Sequence, residues 1–259
     1  MRPLKGFRRF VQPMDRATDV LAQFAAFPFA DLATIVGEQP ILILAPHPDD
    51  ESLGCGGLIA QACAAGAEVH VAVLTDGTQS HPHSPSHPAA RLKALREDET
   101  RDATAVLGLP PERLHFLEYP DTLAPRRGQP LRDAGQRLAE FVTSMKIGTV
   151  FSSWEHDPHC DHLAAHRVTV EASRLKHFRH LSYAVWGWTL PDTKWLKRVK
   201  LQGYRLNVMP NLPVKRQAIS CHRSQMTDLI SDDATAFRLP EHLLALCDRP
   251  FEAFLMNGA

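Results

Sequence analysis

Residues 39–57 read QPILILAPHPDDESLGCGG, and this stretch decides the fold class. It opens with a short apolar run beside a proline-rich turn, which is typical of a parallel strand buried on both faces. Residues 52–65 are rich in alanine, leucine and glycine and predict a helix that ends at Gly66. Residues 68–75, EVHVAVLT, predict a second strand because β-branched residues are frequent in them. A strand, a helix and a strand in this order form a right-handed βαβ unit, so the two strands are predicted to be parallel.

The alternation of strands and helices continues along the chain. Further elements are predicted as helices over residues 89–107, 131–145 and 161–176 and as strands over residues 114–117 and 149–153. Beyond residue 181 the pattern is weaker and predicts an antiparallel edge pair of strands, then two helices, over residues 182–188, 199–208, 213–229 and 240–247. This alternation predicts a doubly wound α/β fold, with a mostly parallel, Rossmann-like sheet and helices on both faces.

The amino-acid composition argues against several classes of protein. The 29 lysines and arginines balance the 29 aspartates and glutamates, so the formal net charge is zero and no nucleic-acid partner is predicted. Five cysteines without a CxxC pair argue against a disulfide framework and a thiolate zinc site, and they favour a cytoplasmic protein. No run reaches the roughly 18 apolar residues that span a bilayer, so no transmembrane segment is predicted.

One domain is expected over residues 1–259, with an N-terminal helical extension over about residues 1–38 and a motif-bearing core over about residues 39–230. Basic residues lie near the N-terminus, but no continuous apolar run follows them, so a signal peptide is not expected. The apolar run over residues 21–30 predicts a helix packed on the domain rather than one lying on a membrane surface. No feature of the sequence indicates an oligomeric state.

Two polar clusters come directly after predicted strands. HPDDE, residues 47–51, follows the first strand, and HDPHCDH, residues 156–162, follows the strand over residues 149–153. Ligands bind at the carboxyl ends of strands in open α/β sheets, so both clusters are predicted to lie at the same edge. Imidazole and carboxylate donors suit zinc or ferrous iron, and a catalytic site of this kind keeps one position open for water. A further carboxylate beside the metal can take the proton of that water.

The acidic residues at positions 49–51 also have a structural interpretation. An Asp-Asp-Glu run before a helix caps its N-terminus and contributes about 1 kcal/mol. An HxDH sequence by itself is also compatible with a solvated loop. Because both clusters follow apolar strands, we favour the metal site over these alternatives.

The two clusters match a known pattern. The segment APHPDDESLGCGG, residues 45–57, resembles the signature of the PIG-L/LmbE-like N-deacetylase family, and DPHCDH, residues 157–162, resembles its HxDH motif. Lesser matches are the T-x-G after the second strand, an R-x-x-E pair at Arg96 and Glu99, and a K-x-x-A-x-x-x-H-x-S-Q pattern over residues 215–225. The resemblance extends over roughly residues 40–226.

The resemblance implies roles for the matched residues. It implies a bound Zn²⁺, or alternatively Fe²⁺ or another divalent metal, held by His47, Asp50 and His162. Asp49 would be the general base and later the acid, and His159 would stabilise the tetrahedral oxyanion. Four further residues are expected to support these groups or to line the substrate site: Asp161, which would orient one of the histidines, and Asp157, His222 and Arg96.

The implied activity is hydrolysis of the acetamide of an N-acetylated amino sugar or its glycoconjugate. Two alternatives stay open: an amidase that acts on a larger acyl or thiol conjugate, and a non-catalytic sugar- or metal-binding protein. Asp49 counts against the binding protein, because pure binding does not require a second carboxylate at this position.

Two other features have open interpretations. The loop SHPHSPSHP, residues 80–88, contains three histidines, and we favour a mobile rim over the substrate against a second metal site. Trp186 and Trp188 are two apart on a predicted strand, so they are expected to share a face. There they would either stack on a sugar ring or pack in the core.

Overall fold

The structure is a computed structural model that describes residues 14–197 and 201–257. Its strands are β1 (Met14–Arg16), β2 (Ile41–Ala45), β3 (Val69–Thr75), β4 (Leu114–Tyr119), β5 (Thr149–Ser153), β6 (Arg179–Tyr183), β7 (Trp195–Lys197), β8 (Gly203–Asn207) and β9 (Phe251–Met256). Its α-helices are α1 (Ala17–Ala25), α2 (Leu32–Val36), α3 (Asp50–Ala64), α4 (Ala89–Val106), α5 (Gly128–Ser144), α6 (Cys160–Leu175), α7 (Leu212–Cys221), α8 (Arg223–Met226) and α9 (Glu241–Cys247).

A seven-stranded sheet in the order β4-β3-β2-β5-β6-β9-β8 forms the centre of the protein. The strands from β4 to β6 are parallel to one another, and β9 is antiparallel to both of its neighbours. The separate strands β1 and β7 form a two-stranded antiparallel ribbon. The predicted doubly wound, mostly parallel sheet is therefore confirmed.

Both faces of the sheet are buried, which explains the continuous apolar runs in its strands. In β2, Ile41 and Ile43 belong to a core shared with α3 and α7, whereas Leu42 and Leu44 belong to a core shared with α5 and α6. We name these the first core and the second core. Successive side chains of a strand point to opposite faces, so a strand covered on both sides needs apolar residues at every position.

The antiparallel end of the sheet differs from the prediction. The predicted strands over residues 182–188 and 199–208 do not pair with each other, because β9 lies between β6 and β8. The first residues of the predicted strand over 199–208 lie outside the described residues. No strand was predicted at β9, and its place in the sheet depends on contacts with segments far away along the chain.

The strand predicted over residues 182–188 ends early, at Tyr183, and Trp186–Thr189 forms a 3₁₀ turn instead. The Asp157 carboxylate accepts hydrogen bonds from the backbone N–H groups of Val185 and Gly187, which a strand would have donated to its neighbour. The expectation that Trp186 and Trp188 share one face of a strand is therefore wrong.

The N-terminal segment packs on the domain, but the helix predicted over residues 21–30 is α1, which begins at Ala17 and ends at Ala25. Val20 and Phe24 of α1 are buried in a third apolar cluster, where the ring of Phe24 contacts the buried ring of Trp154. The basic residues 2–9 lie outside the described part of the chain. Among the residues that are described, no helix has both the length and the apolar character needed to cross a membrane.

Candidate active site

The two polar clusters lie side by side in the structure. They leave the carboxyl ends of β2 and β5, which are neighbouring parallel strands. A cavity of about 220 Å³ opens at this edge. Its lining residues come from several loops and helix starts: His47, Asp49, Asp50, Leu53, Gln79, Ser80, Arg96, Asp121, Thr122, His159, Trp186, Gln225, Phe237 and Leu239.

Asp50 contacts both of the other expected metal ligands. The Oδ2 atom of Asp50 lies 3.2 Å from Nδ1 of His47 and 3.1 Å from Nε2 of His162. Ring nitrogens of His47, His159 and His162 also lie within 4.8 Å of one another, so His159 is close enough to be a further donor. Asp50 and His162 are buried, and the side chain of His47 is only 12% exposed.

A second layer of carboxylates surrounds these histidines. Asp161 Oδ2 lies 3.2 Å from Nε2 of His47, and Asp157 Oδ1 lies 3.1 Å from Nδ1 of His162. Asp121, which the sequence did not single out, places Oδ1 at 3.4 Å from Nε2 of His47. It follows β4 at the same edge of the sheet, and that position is the signal that could have identified it.

This arrangement favours a positive charge. Burial lowers the pKa of His47, but the neighbouring carboxylates, with Asp121 the strongest, raise it well above its ordinary value. Burial likewise lowers the pKa of His162, yet Asp50 and Asp157 raise it to about 10. Both ring nitrogens of His162 are buried without a partner in hydrogen-bond geometry. A divalent cation would supply the positive charge that these carboxylates favour. It would also bind Nε2 of His162, the ring nitrogen that faces Asp50, so the residues fit a metal.

Asp49 is held beside this group in a strained conformation. It precedes α3 with φ of +133°, a region that non-glycine residues rarely adopt, and it is 5% exposed. Burial raises the pKa of the Asp49 carboxyl to about 7, with Asp50 contributing in the same direction and Arg96 opposing it. The sequence places the two aspartates next to each other, and the fold gives them opposite protonation preferences because the histidines hold the pKa of Asp50 well below its usual range.

Arg96 of α4 fastens the turn that carries Asp49. Its guanidinium donates to the Asp49 carboxylate at 3.1 Å, to the carbonyl oxygen of Pro48 and to that of Gly77 at 2.9 Å. Gly77 has φ of +66°, and a Cβ there would lie 2.5 Å from the guanidinium. Glycine after β3 is therefore needed for Arg96 to reach the site.

Glu51 holds Asp49 from the other side. One oxygen of its fully buried carboxylate accepts the backbone N–H of Asp49 at 3.1 Å, and the other lies 3.2 Å from Nε2 of His222. His222 interrupts the helix predicted over residues 213–229, which the structure divides into α7 and α8. It is buried behind the cavity and does not line it. Glu51 thus does more than support the start of a helix.

His159 faces the cavity in a defined tautomeric state. It caps the N-terminus of α6, and its Nδ1 accepts the backbone N–H of Asp161 at 3.2 Å. Burial, together with the nearby His47 and His162, lowers the pKa of His159. The neutral ring consequently carries its proton on Nε2, which makes that nitrogen a hydrogen-bond donor.

His156, Trp186 and Trp188 differ in whether they reach the cavity. His156 packs against Trp154 and does not line the cavity. Trp188 packs against Phe24 and beneath the guanidinium of Arg249, whereas Trp186 lines the cavity. Among the described residues, none of the three-residue groups able to hold a metal includes the histidines of the loop over residues 80–88.

The chain is similar to known proteins over the range that contains both polar clusters. A family model described as PIG-L, GlcNAc-PI de-N-acetylase, matches residues 42–173, just over half of the chain. The chain belongs to the PIG-L family. This PIG-L chain is 30% identical over 158 residues to a 1D-myo-inositol 2-acetamido-2-deoxy-α-D-glucopyranoside deacetylase of Thermomonospora curvata, and the match covers 53% of each protein. The chain thus spans about half the length of that relative.

Solved structures confirm the fold of this PIG-L chain. An N,N′-diacetylchitobiose deacetylase of Pyrococcus horikoshii is 21% identical with a TM-score of 0.64, over 99% of this chain and 95% of that one. A 4-carboxy-2-hydroxymuconate hydratase of Pseudomonas putida KT2440 is 20% identical with a TM-score of 0.57, over 81% and 83% of the two chains. Because one fold carries a deacetylase and a hydratase, the reaction must be argued from the site.

Proposed function

We propose that this chain is a zinc-dependent N-deacetylase that hydrolyses the acetamide of an N-acetylated amino sugar or its glycoconjugate. The observation that carries the proposal is the position of Asp49, a carboxyl group that lines the cavity beside His47 and Asp50 and is held there by Arg96. A metal-binding protein has no use for a buried, strained carboxylate in this place, whereas amide hydrolysis requires a base there.

His47, Asp50 and His162 would hold the metal, because the Asp50 carboxylate contacts both imidazoles and none of the three side chains is more than 12% exposed. Zn²⁺ suits two imidazoles and one carboxylate, although Fe²⁺ is compatible with the same donors. When bound, the metal polarises the amide carbonyl and makes a water more acidic. Asp161 and Asp157 orient the two histidines through their outer ring nitrogens.

The proton transfers are assigned to Asp49. Its carboxylate takes a proton from the attacking water and returns it to the amide nitrogen as the C–N bond breaks, so acetate and a free amine leave. Arg96 and Glu51 keep the carboxylate in place during both transfers. Nε2–H of His159 donates to the carbonyl oxygen as negative charge develops on it.

An amino sugar is the substrate that best fits the surroundings. The loops after β3 and β4 line one part of the cavity with polar groups, from Gln79, Asp121 and Thr122, which can bind sugar hydroxyls. The named relatives include a deacetylase of an acetamido-deoxy-glucopyranoside. A cavity of about 220 Å³ is smaller than a typical ligand pocket, so the rest of a glycoconjugate would extend into solvent.

The proposal is tested by measuring acetate release from N-acetylglucosamine, its oligomers and N-acetylglucosaminyl conjugates, with and without a chelator. We expect release that the chelator abolishes and added Zn²⁺ restores. Larger acyl or thiol conjugates belong in the same screen: their cleavage without acetate release from any N-acetylated sugar would indicate the amidase alternative. Binding of these substrates without release of any acyl group would instead indicate the non-catalytic alternative. A cytoplasmic location stays a prediction of the cysteine pattern.

A further inference from the structure

The cavity has an apolar lining in addition to the polar lining formed by the loops after β3 and β4. Trp186 lines it beside Phe237, with ring centroids 5.7 Å apart, and Leu53 and Leu239 continue this surface inward. We name these four residues the apolar wall. Leu53 and Leu239 belong to the first core, and Trp186 packs against that core, so the wall is the place where the core reaches the cavity.

The wall runs from the buried interior to the mouth of the cavity. Leu53 is 3% and Leu239 is 8% exposed, whereas Phe237 is 38% exposed. Such a gradient suits an elongated apolar group that begins at the reacting amide and ends near solvent. An acetyl group has a single methyl carbon, and it cannot cover four large side chains.

The two ends of an N-acyl amino sugar differ in the same way as the two linings. The sugar carries hydroxyl groups, which match Gln79, Asp121 and Thr122, and the acyl chain is apolar. Placing the acyl chain against the polar lining would leave the Asp121 carboxylate facing hydrocarbon, which costs free energy. The acyl side of the amide therefore belongs at the apolar wall.

The loop over residues 80–88 holds the outer part of the wall in place. Asp232 accepts hydrogen bonds from the Ser84 hydroxyl at 2.6 Å and from the Ser86 N–H at 2.9 Å. Asp233 accepts the N–H of His83 at 2.8 Å, and the N–H of Phe237 donates to the carbonyl oxygen of Ser80 at 2.8 Å. These bonds tie the segment that carries Phe237 and Leu239 to the serine- and histidine-rich loop.

We propose that the apolar wall is an acyl-chain subsite, and that the site cleaves N-acyl groups longer than acetyl, such as butanoyl and hexanoyl. This inference rests on the proposed function. The reaction is the same: water adds to the acyl carbon, the C–N bond breaks, and the products are a fatty-acid carboxylate and the free amine. Each methylene buried against the wall should raise kcat/KM roughly fourfold.

The first test compares N-acetyl-, N-butanoyl- and N-hexanoylglucosamine as substrates of the metal-loaded protein. We expect kcat/KM to rise along the series, and calorimetry to show tighter binding of hexanoate than of acetate. Cleavage of the acetyl compound with no gain for the longer chains would overturn the acyl subsite and leave the deacetylase standing. Failure to cleave any of the three, with no preference among the carboxylates, would count against both proposals.

Substitutions in the wall give a second, independent measurement. Phe237→Ala should lower the ratio of hexanoyl to acetyl kcat/KM roughly fourfold or more, since at least one methylene loses its contact. Phe29→Ala is the matched control, because Phe29 is a 56% exposed phenylalanine that does not line the cavity. If Phe237→Ala instead changes the preference for sugar-chain length and leaves the acyl ratio unaltered, the wall binds sugar and the inference is wrong.

Asp233→Ala tests the hydrogen bonds between the loop over residues 80–88 and the segment that carries Phe237. It removes the acceptor for the His83 N–H, and the same ratio should fall because Phe237 loses its fixed position. Asp133→Ala is the control: it removes an exposed aspartate of α5 that accepts a hydrogen bond from Gln129 and does not line the cavity, so the ratio should stay unchanged. An equal loss for acetyl and hexanoyl substrates in Asp233→Ala would show a general structural effect and contradict the assigned role.

Discussion

The segment after β2, residues 47–51, and the segment after β5, residues 157–162, bring similar side chains to one edge of the sheet. They differ in which partner supports the other. The first segment is held by other elements: Arg96 of α4 donates to its backbone and to Asp49. The second segment holds other elements. Asp157 accepts two N–H groups from the turn after β6, and Asp161 accepts the N–H of Thr122 from the loop after β4.

This difference distinguishes a residue that is proposed to take part in the reaction from residues that also stabilise the fold. Asp49 is in an unfavourable backbone conformation that distant residues maintain, and its carboxylate lines the cavity. Strain of this kind persists only where the surrounding structure over-determines the conformation. Asp157 and Asp161 are buried, and each carries two tasks, a contact with a histidine and the anchoring of a loop. Substitution of Asp49 should therefore reduce activity alone, whereas substitution of Asp157 or Asp161 should reduce both activity and stability.

The largest effect is expected for Asp49→Asn, which should reduce kcat about 10²–10⁴-fold because the amide cannot accept the proton of water. The metal content and the melting temperature should stay close to those of the parent, since no metal ligand or loop anchor is removed. Single-turnover kinetics measure the rate, elemental analysis measures the metal content, and thermal melting measures the stability. Turnover at the parent rate would eliminate Asp49 as the base.

His159→Ala should reduce kcat about 10²–10³-fold, the usual result of removing one oxyanion donor. KM should change little, because the donor acts on charge that develops only in the transition state. A loss of bound metal in this variant would show instead that His159 is a ligand, as its distance from His47 and His162 permits.

Asp157→Ala should weaken metal affinity about 10–100-fold through His162, as is usual for residues that orient a metal-binding histidine. It should also destabilise the fold by about 1–3 kcal/mol, because the N–H groups of Val185 and Gly187 lose their acceptor. Chelator competition and thermal melting measure these effects. Asp157→Asn retains an oxygen for the loop and is the matched control: equal melting temperatures for the two variants would contradict the anchoring role.

Glu51→Gln should have the smallest effect, a decrease in kcat of about tenfold, because a neutral amide oxygen accepts the Asp49 N–H more weakly than the carboxylate does and holds Asp49 less firmly. The metal content should not change. Glu51→Asp is too short to reach the same N–H and should be no better than Gln. If Glu51→Gln raises KM and leaves kcat unaltered, Glu51 does not position the base.

Much of the site could be predicted from the sequence, because its residues lie in two short segments next to apolar strands. His47, Asp49 and Asp50 are adjacent, and the position of both segments after parallel strands is enough to bring His162 to the same edge. Asp121 could have been found by the same rule. The contact between Glu51 and His222 could not, because 171 positions separate the two residues and no local pattern encodes their packing.

The sequence by itself determined the fold class, the shared edge of the two polar clusters and the kind of donor atoms found there. A strand buried on both faces appears in the sequence as an apolar run, and each polar cluster directly follows such a run. These properties can therefore be predicted from short stretches of sequence. Only the tertiary structure decided that β9 lies between β6 and β8, that Asp49 adopts a positive φ, and that Phe237 and Leu239 complete an apolar wall. Each of these depends on packing between segments far apart in the chain, where the free energy of burial outweighs local preference.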